Sequence, residues 1–286
     1  MPESGEQHTE EYKEIRYAVD GRIATITLDV PDQRNRLSFT MRGEIVAALH
    51  RAEADDAVSV ALIRGNGPSF CAGYDLKRSD APAGLRSGSD ELAWTDQFTR
   101  GCVADWMTIW DMLKPVVAMV HGNCLAGGTE LMSMCDIAFV ADDARIGYPP
   151  MRGMGSPDVP YFPWKMTMAQ AKYLQLTGNS ITGADAARMG WVAKSFPAEE
   201  LESETMRELR ALSSVPTDLL STNKQSVNQA YEIMGMRTHI AQSWQFHYMS
   251  MNVRPDARKF ADVAREQGLK AALEWRDGAF QREGFI

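Results

Sequence analysis

The early part of the chain alternates apolar and polar positions as a β-hairpin does. Over residues 15–30 the side chains change face at each step, and Asp20-Gly21 interrupts the alternation with a hairpin turn signal. Ser38 then offers a helix N-cap, and Ile45 and Leu49 follow it at helical spacing. The pattern therefore predicts two antiparallel strands followed by an α-helix.

Short apolar runs alternate with helical segments through the middle of the chain. Residues 58–63, 116–120 and 137–140 are apolar runs rich in β-branched residues, which are typical of buried parallel strands. A helix over about 92–113 and a short helix near 129–132 separate them. Strand, glycine turn, helix and strand in succession predict an α/β fold with a parallel sheet.

From Met166 onward the pattern is almost wholly helical. The strongest helix candidates are residues 169–176, 183–189, 199–213, 218–234, 238–251 and 256–276. We predict a disordered acidic leader over residues 1–11, an α/β core over 12–200 and a C-terminal helical region over 201–286. A mobile loop is expected at 79–91, where Ser, Gly, Asp, Ala and Pro predominate.

Composition narrows the class of protein. The 286 residues are 44% hydrophobic and 24% charged, the balance of an ordinary globular protein with a substantial core. The formal net charge of −8 argues against a nucleic-acid partner, because a phosphate backbone binds clustered positive charge. No apolar stretch approaches the roughly 20 residues that a bilayer requires, and the acidic first residues do not resemble a signal peptide. We therefore expect a cytoplasmic protein with no membrane partner.

The cysteines argue against a metal site or a disulfide framework. Cys71, Cys102, Cys124 and Cys135 contain no CxxC pair, and apolar residues flank Cys71. We expect these side chains to act as small core hydrophobes and expect no metal.

Two glycine turns carry the candidate chemistry. Ala72-Gly73-Tyr74-Asp75 follows one predicted strand, and residues 122–128, which end in Gly127-Gly128, lead into a helix. Amide N–H groups at such turns have no helical partner and can approach a ligand closely. If both turns face one pocket, the N–H groups of Tyr74 and Gly127 converge as an oxyanion hole. Neither a Walker pattern nor a GxGxxG fingerprint is present.

These residues resemble the signatures of a known family. Residues 70–77, Phe-Cys-Ala-Gly-Tyr-Asp-Leu-Lys, resemble the first signature of the crotonase superfamily, the enoyl-CoA hydratase/isomerase family. Residues 115–122, 126–131 and 135–137 resemble its second signature. Residues 31–38 resemble the segment before the family's first helix, and positions between 176 and 190 resemble its helix after the core. The resemblance spans about residues 12–270.

The resemblance implies a fold, a substrate class and a set of site residues. It implies a crotonase-like ββα spiral core with a C-terminal helical region used in trimerisation, usually as a homotrimer or a dimer of trimers. It implies an acyl-CoA thioester substrate, with coenzyme A as part of the substrate and no other cofactor. By motif position, Tyr74 and Gly127 supply the oxyanion-hole amides and Glu130 is the first of the two catalytic glutamates. The further substrate-binding candidates are Ala72, Asp75, Leu76, Lys77, Gly128, Tyr148 and Arg152.

The sequence departs from the hydratase pattern at the second catalytic glutamate. The corresponding segment reads Gly147-Tyr148-Pro149-Pro150, and proline cannot transfer a proton. Asp158 lies eight residues further on, which resembles the place of the nucleophilic aspartate in the superfamily's chlorobenzoyl-CoA dehalogenase. Asp158 is therefore the candidate to replace the missing carboxylate. Hydration normally needs two carboxylates, whereas a double-bond shift needs one, although the familiar isomerases keep the second glutamate.

Three functions stay open at this point. An enzyme of the enoyl-CoA hydratase/isomerase type, with Glu130 as general acid and base, fits best. A hydrolase of a C–C or thioester bond on the same fold is the second hypothesis. A CoA-ester-binding protein that has lost turnover is the third, and Pro150 is the feature in its favour.

Several other residues have a plain structural explanation. Glu130 in a first helical turn also complements the helix dipole, Asp158 after a proline is also a turn former, and His121 is interpreted as a structural histidine. Arg34 and Lys77 are candidates for the CoA phosphates, with surface salt bridges an equal explanation. A bulky or ring-containing acyl group is favoured by the aromatic side chains Trp94, Trp106, Tyr161, Phe162 and Trp164.

Overall fold

The computed structural model describes residues 12–77, 80–81 and 91–285, with the side chains of residues 91–96 excepted. The acidic leader predicted over residues 1–11 and most of the mobile loop predicted over 79–91 lie outside these residues.

Two sheets organise the described part of the chain. The strands, in chain order, are β1 (Ile15–Asp20), β2 (Ile23–Leu28), β3 (Val60–Gly65), β4 (Ser69–Cys71), β5 (Val116–Val120), β6 (Asn123–Leu125), β7 (Ile137–Ala141), β8 (Arg145–Gly147), β9 (Ser180–Thr182) and β10 (Lys194–Phe196). The first sheet has the order β1-β2-β3-β5-β7-β10, and the second has the order β4-β6-β8-β9. Only β1–β2 and β8–β9 are antiparallel, and the other pairs run parallel.

Helices fill the connections. They are α1 (Phe39–Ala54), α2 (Glu91–Asp111), α3 (Gly127–Met134), α4 (Phe162–Lys165), α5 (Met168–Thr177), α6 (Gly183–Arg188), α7 (Leu201–Ser213), α8 (Thr217–Ile233), α9 (Met236–Ala241), α10 (Ser243–Asn252), α11 (Lys259–Gln267) and α12 (Leu269–Arg282). Short 3₁₀ turns occupy Pro31–Gln33 and Pro149–Arg152. The predicted N-cap is confirmed, because the Ser38 hydroxyl accepts a hydrogen bond of 2.9 Å from the Met41 amide.

The same unit repeats along the core. A buried strand of the first sheet is followed by a short strand of the second sheet and then by a helix, in β3-β4-α2, β5-β6-α3 and β7-β8-α4. All five residues of β5 are buried, as expected for a parallel strand covered on both faces. The α/β class and the ββα spiral expected from the resemblance are confirmed.

The C-terminal half departs from the wholly helical prediction. Strands β9 and β10 pair with β8 and β7, and three-residue strands of this kind come from tertiary pairing that no periodicity reveals. The helix predicted over 238–251 is interrupted at Gln242, between α9 and α10. The helix predicted over 256–276 begins later and is broken at Gly268, whose φ of +89° is a left-handed conformation that ends a helix.

One large core holds the spiral together. Buried apolar side chains from the first sheet and from α1, α2 and α3 form a continuous cluster. Helix α7 packs across the first sheet, and a smaller apolar cluster of Phe260, Val263 and Ala272 joins α11 to α12. Within the described ranges, the model contains no helix that is both long and apolar enough to cross a bilayer.

Candidate active site

The two glycine turns pack against each other. Ala126, between β6 and α3, has a φ of +51°, which non-glycine residues rarely adopt, and its amide donates to the Gly147 carbonyl at 3.0 Å. Gly73 has a φ of +101°, and a Cβ there would lie 2.8 Å from Cβ of Ala126 and 3.4 Å from the Gly127 nitrogen. Only glycine at position 73 therefore lets the first turn approach the amide at the start of α3.

The N–H groups of both predicted oxyanion donors are available. Leu37 donates to the Gly73 carbonyl at 2.8 Å and accepts from the Asp75 amide at 3.0 Å, which turns the intervening Tyr74 N–H away from Leu37. Gly127 begins α3, so its N–H has no partner within the helix. In the described part of the chain, no turn or loop hydrogen bond uses either N–H. The arrangement can therefore present two amide donors to one oxygen.

Glu130 lies behind these turns with both carboxyl oxygens engaged. Its side chain is fully buried in α3. Oε2 accepts a hydrogen bond of 2.6 Å from the Tyr74 hydroxyl. Oε1 accepts from the Tyr148 hydroxyl at 2.8 Å and from the Asp158 amide at 2.9 Å. Three hydrogen-bond donors thus offset the free-energy cost of burying this carboxyl.

The surroundings of Glu130 favour its protonated form at neutral pH. Burial and, after it, the negative charge of Asp158 raise the pKa of Glu130 to about 8, although the hydrogen bonds from Tyr74, Tyr148 and the Asp158 amide oppose the rise. Burial also raises the pKa of Tyr74 and of Tyr148 well above the ordinary value, so both phenols keep their protons. A carboxyl that titrates near the operating pH is suited to general acid and base chemistry.

Asp158 is the second carboxyl of the site. It is buried, and its Oδ1 accepts a hydrogen bond of 2.7 Å from the Thr99 hydroxyl. The same oxygen lies 3.4 Å from Nδ1 of His247, and the Asp158 carbonyl accepts from the Ser243 hydroxyl at 2.7 Å. The Asp158 N–H donates to the Glu130 carboxyl, so the two residues predicted as catalytic come together, one from α3 and the other from the loop before α4.

A cavity of about 570 Å³ opens onto this cluster. Among the predicted site residues, it is lined by Ala72, Tyr74, Asp75, Leu76, Tyr148 and Asp158. Glu130 is not among the residues that line it, whereas Tyr74 and Tyr148, whose hydroxyls bond to the Glu130 carboxyl, are. Pro150 also lines the cavity, at the position where the resemblance places the second glutamate.

The comparisons with known proteins agree with this geometry. The family model described as "Enoyl-CoA hydratase/isomerase" matches residues 19–282. The chain belongs to the enoyl-CoA hydratase/isomerase family. EchA13 of Mycobacterium tuberculosis, provisionally named an enoyl-CoA hydratase, is 34% identical over 258 residues, which cover 84% of this chain and 81% of that one.

Two further members extend the likeness. The hydroxycinnamoyl-CoA hydratase-lyase of Pseudomonas fluorescens is 27% identical over 274 residues, 92% of this chain and 93% of its own. The crystal structure of an enoyl-CoA hydratase/isomerase from Xanthobacter autotrophicus Py2 superposes with a TM-score of 0.87 at 31% identity, covering 94% of this chain and 99% of that one. The protein is therefore an enoyl-CoA hydratase-like member of the family with the same fold.

Some residues predicted for the site lie elsewhere. Arg152 is not part of the cavity wall; its Nε donates to the Thr177 carbonyl at 3.0 Å and its guanidinium lies over the Phe280 ring. Lys77 is exposed and does not line the cavity. Gly127 and Gly128 are buried and are not among the lining residues, and a Cβ at Gly128 would meet the Cys71 carbonyl oxygen at 2.8 Å.

The aromatic residues considered for the acyl group are mostly remote from this cavity. Tyr161 and Phe162 stack on each other in the core, and Trp164 lines a different cavity. Trp106 does reach the site, because its Nε1 donates to the Tyr74 hydroxyl at 3.0 Å. The Trp94 side chain lies outside the described residues, and His121 contacts the Gly67 carbonyl through Nε2 at 2.7 Å.

The sequence analysis missed residues that come from α2 and the C-terminal helices. Thr99 and His247 hold Asp158, and Phe98 lines the cavity. Neither family signature includes these positions, and their segments show only ordinary helical periodicity. Basic side chains at the cavity include Arg34, Arg145, Lys270 and Arg276, while Asp75, Glu274 and Asp277 supply nearby negative charge.

Proposed function

We propose that the protein hydrates the double bond of a 2-enoyl-CoA thioester, with Glu130 as the group that exchanges the proton at Cα. One observation carries the proposal: Glu130 is a buried carboxyl of raised pKa that is hydrogen-bonded to two phenols lining the cavity, Tyr74 and Tyr148. Family membership supports an acyl-CoA substrate, and the chemistry requires no group besides side chains, backbone amides and water.

The two turn amides stabilise the charge that develops on the thioester oxygen. When water adds to Cβ, the electron pair of the double bond moves toward the carbonyl and an enolate forms. In this proposal that oxygen is bound by the N–H groups of Tyr74 and Gly127, which have no turn or helix partner among the described residues. A single donor of this kind typically contributes about 3 kcal/mol of transition-state stabilisation.

Proton delivery to Cα starts at Glu130. In this proposal the protonated Glu130 carboxyl turns its O–H toward a tyrosine oxygen, which reverses the hydrogen bond that the ionised carboxylate accepts, and the phenol gives its own proton to carbon as it takes that of Glu130. Tyr148 is the better carrier, since the Tyr74 hydroxyl also accepts the Trp106 N–H. General acid catalysis of this kind contributes about 10²–10⁴-fold in rate.

The water side of the reaction belongs to Asp158. Pro150 has no titratable group, whereas Asp158 lines the cavity beside Glu130. In this proposal Asp158 supplies the carboxylate on the water side, where the hydratases have their second glutamate.

Double-bond isomerisation is the second candidate function. It is favoured by the absence of a carboxyl at position 150, since moving a proton between two carbons of an enolate needs a single carboxyl. The amides of Tyr74 and Gly127 would again bind the thioester oxygen, and Glu130 would move the proton. Asp158 would then be dispensable for turnover.

The cavity also suggests which substrates to test. Arg34, Arg145, Lys270 and Arg276 supply positive charge suited to CoA phosphates. Phe98 and Tyr74 form an edge-to-face aromatic pair at the wall, with ring centroids 5.2 Å apart. Because one relative is named for a hydroxycinnamoyl-CoA substrate, aromatic 2-enoyl-CoAs belong in the panel beside straight-chain ones.

We also propose self-association, as a homotrimer or a dimer of trimers. Helix α8 exposes Leu219, Val227 and Ile233, with Val227 58% and Ile233 78% exposed. Large apolar side chains that stand exposed on one helix are typical of a surface covered in an assembly. Light scattering should give three or six chains per particle, and Val227→Asp should lower that number; a monomeric wild-type protein contradicts the proposal.

The test of function is a substrate panel analysed by mass spectrometry. The protein is incubated with straight-chain and aromatic 2-enoyl-CoAs and with a 3-enoyl-CoA. A gain in mass of one water supports hydration, and a shifted double bond at unchanged mass supports isomerisation. Free CoA would instead indicate a thioester hydrolase, and binding without any turnover would indicate a CoA-ester-binding protein.

A further inference from the structure

The hydrogen bond of His247 fixes which ring nitrogen carries the proton. Nδ1 lies 2.9 Å from the carbonyl oxygen of Ser156 and 3.4 Å from Oδ1 of Asp158. A carbonyl oxygen only accepts hydrogen bonds, so Nδ1 must be the donor. In the neutral imidazole, Nε2 therefore holds the lone pair and is a base.

His247 lies in the wall of the same cavity as Tyr74 and Asp158. Its side chain is mostly buried, and among the described residues Nε2 has no hydrogen-bond partner. Since Nδ1 is turned toward the protein, Nε2 is the ring nitrogen available to a molecule in the cavity.

Hydrogen bonds near both ends of α10 fix the helix that carries the His247 ring. The Ser243 hydroxyl donates to the Asp158 carbonyl at 2.7 Å, and the Ser156 amide donates to the Ser250 hydroxyl at 3.1 Å. The loop that carries Asp158 is thus tied to the helix that carries His247. A base held by two independent contacts keeps its orientation during turnover.

Asp158 faces the protonated side of the ring. Its carboxyl is fixed by the Thr99 hydroxyl and lies next to Nδ1 of His247, where a negative charge stabilises an imidazolium. Because Nδ1 gives its hydrogen bond to the Ser156 carbonyl, the Asp158 carboxylate acts on the ring through its charge, and Nε2 is the basic nitrogen. The other charged side chains that line the cavity are Arg34, Asp75, Arg145, Lys270, Glu274, Arg276 and Asp277.

We propose that Nε2 of His247 is the base that activates water, and that Asp158 is a positioning residue for it. This inference rests on the proposed hydration. A proton of the water passes to Nε2, the water oxygen bonds to Cβ, and the electron pair of the double bond moves to the thioester as an enolate. The proton from Glu130 then bonds to Cα, the imidazolium returns its proton to solvent, and Glu130 takes up a proton from solvent to complete the cycle. The chain therefore supplies from α10 the base that Pro150 cannot provide.

Two variants of His247 separate this role from a structural one. His247→Asn keeps a donor that can reach the Ser156 carbonyl and has no base, while His247→Gln offers an amide near the position of Nε2. We expect kcat for hydration to fall about 10²–10⁴-fold in both. We expect the Kd for a saturated acyl-CoA to change less than about threefold, because the oxyanion amides and Glu130 are intact.

Deuterium exchange at Cα distinguishes a base role of His247 from a merely structural one. In deuterated water, Cα exchange of a saturated acyl-CoA uses Glu130 and the amides but no activated water. Both His247 variants should keep this exchange while losing hydration. Hydration within about tenfold of wild type in both variants overturns the proposal. Equal loss of exchange and hydration overturns it too, since the residue would then act on the whole site.

The failure of this proposal can be told apart from failure of the proposed function. If wild-type protein hydrates no 2-enoyl-CoA, both proposals fall together. If wild type hydrates and the His247 variants do so equally well, only the assignment of the base fails. Asp158→Asn completes the set, because direct base action by Asp158 predicts that this variant loses hydration while the His247 variants keep it.

Discussion

The hydroxyl of Tyr74 donates a hydrogen bond of 2.6 Å to Oε2 of Glu130. These residues stand in separate family signatures, and the contact joins the two turns of the site. The Trp106 indole, which can only donate, occupies the acceptor side of the phenol, so the phenol's own proton points to Glu130. In the proposed mechanism Tyr74 therefore has two parts: its backbone N–H binds the thioester oxygen, and its hydroxyl bonds to the acid Glu130.

Replacing Tyr74 by Phe should move the pH profile upward. The Tyr74 hydrogen bond lowers the pKa of Glu130, so its removal raises that pKa. Because Glu130 acts as an acid, activity is lost as pH rises through its pKa, and the variant should lose activity about 1 pH unit higher than wild type. A hydration rate measured from pH 6 to 10 tests this expectation; an unchanged or lower alkaline limb contradicts it.

The burial of Glu130 should also appear in the stability of the fold. Its pKa is about 8 in the folded protein, above the ordinary 4.5, so the protonated form is the one the fold favours. The contribution to stability is fully present below about pH 4.5 and is lost as pH rises through about 8. Glu130→Gln cannot ionise and should escape this loss.

Thermal unfolding at several pH values measures that effect. The Tm of Glu130→Gln minus the Tm of wild type should increase from pH 5 to pH 8.5. A difference that stays constant over this range would show that the carboxyl ionises in the folded protein as easily as in water.

Gly127→Ala should lower hydration activity because the added methyl group displaces the Tyr74 ring. A Cβ at Gly127 would lie 2.7 Å from Cε2 and 2.8 Å from Cδ2 and Cζ of the Tyr74 ring. The ring must move, and its hydrogen bond to Glu130 is disturbed. We expect at least about a 10²-fold loss of hydration activity, the scale of a misplaced catalytic contact.

Gly43→Ala is the matched control for that change. Gly43 lies in α1, and no atom lies within 4 Å of the position its Cβ would take. This variant should keep full activity and raise the free energy of unfolding by about 0.5–1 kcal/mol, because alanine favours the helix. Equal activity in both glycine variants would show that the packing of Tyr74 on Gly127 is unimportant.

Lys224→Met should strongly destabilise the protein. The Lys224 ammonium lies 2.9 Å from Oδ2 of Asp136, and both side chains are largely buried between α8 and the start of β7. Burial already raises the pKa of Asp136, and Lys224 opposes that rise. Removing the lysine leaves an unpaired buried carboxyl, which typically costs about 3–5 kcal/mol.

Lys194→Met serves as its control. Lys194 pairs with Glu208 at 2.8 Å, but its side chain is 51% exposed. An exposed pair of this kind contributes about 0–1 kcal/mol. Denaturant titrations of both variants should give clearly different free energies of unfolding; similar losses would contradict the distinction between the two pairs.

The fold and part of the site were predictable from the sequence. Alternation and apolar runs indicated β1, β2, β3, β5 and β7, and glycine spacing indicated the turns before Tyr74 and Gly127. These features depend on local periodicity and backbone geometry, which the sequence carries directly. The short strands β9 and β10 depend on tertiary contacts instead, whereas the break at Gly268 has a local cause, the positive φ of that glycine.

The side-chain partners in the site were not predictable in the same way. Nothing local to Tyr148 indicates that its hydroxyl meets Glu130, and nothing local to His247 indicates that α10 returns to Asp158. Arg152 follows the proline-rich turn closely, yet its guanidinium faces Thr177 and Phe280. Such contacts join segments that lie far apart in the chain, so only the folded structure brings them together.

The most direct test of the account concerns the proton at Cα. Wild-type protein and Glu130→Gln are incubated with a 2-enoyl-CoA in deuterated water, and the thioesters are analysed by mass spectrometry. The account predicts that wild type adds water and places deuterium at Cα, and that Glu130→Gln loses both by about 10²-fold or more while still binding the thioester. Deuterium at Cα at an undiminished rate in Glu130→Gln would show that another group moves this proton, and would contradict the central role given to Glu130.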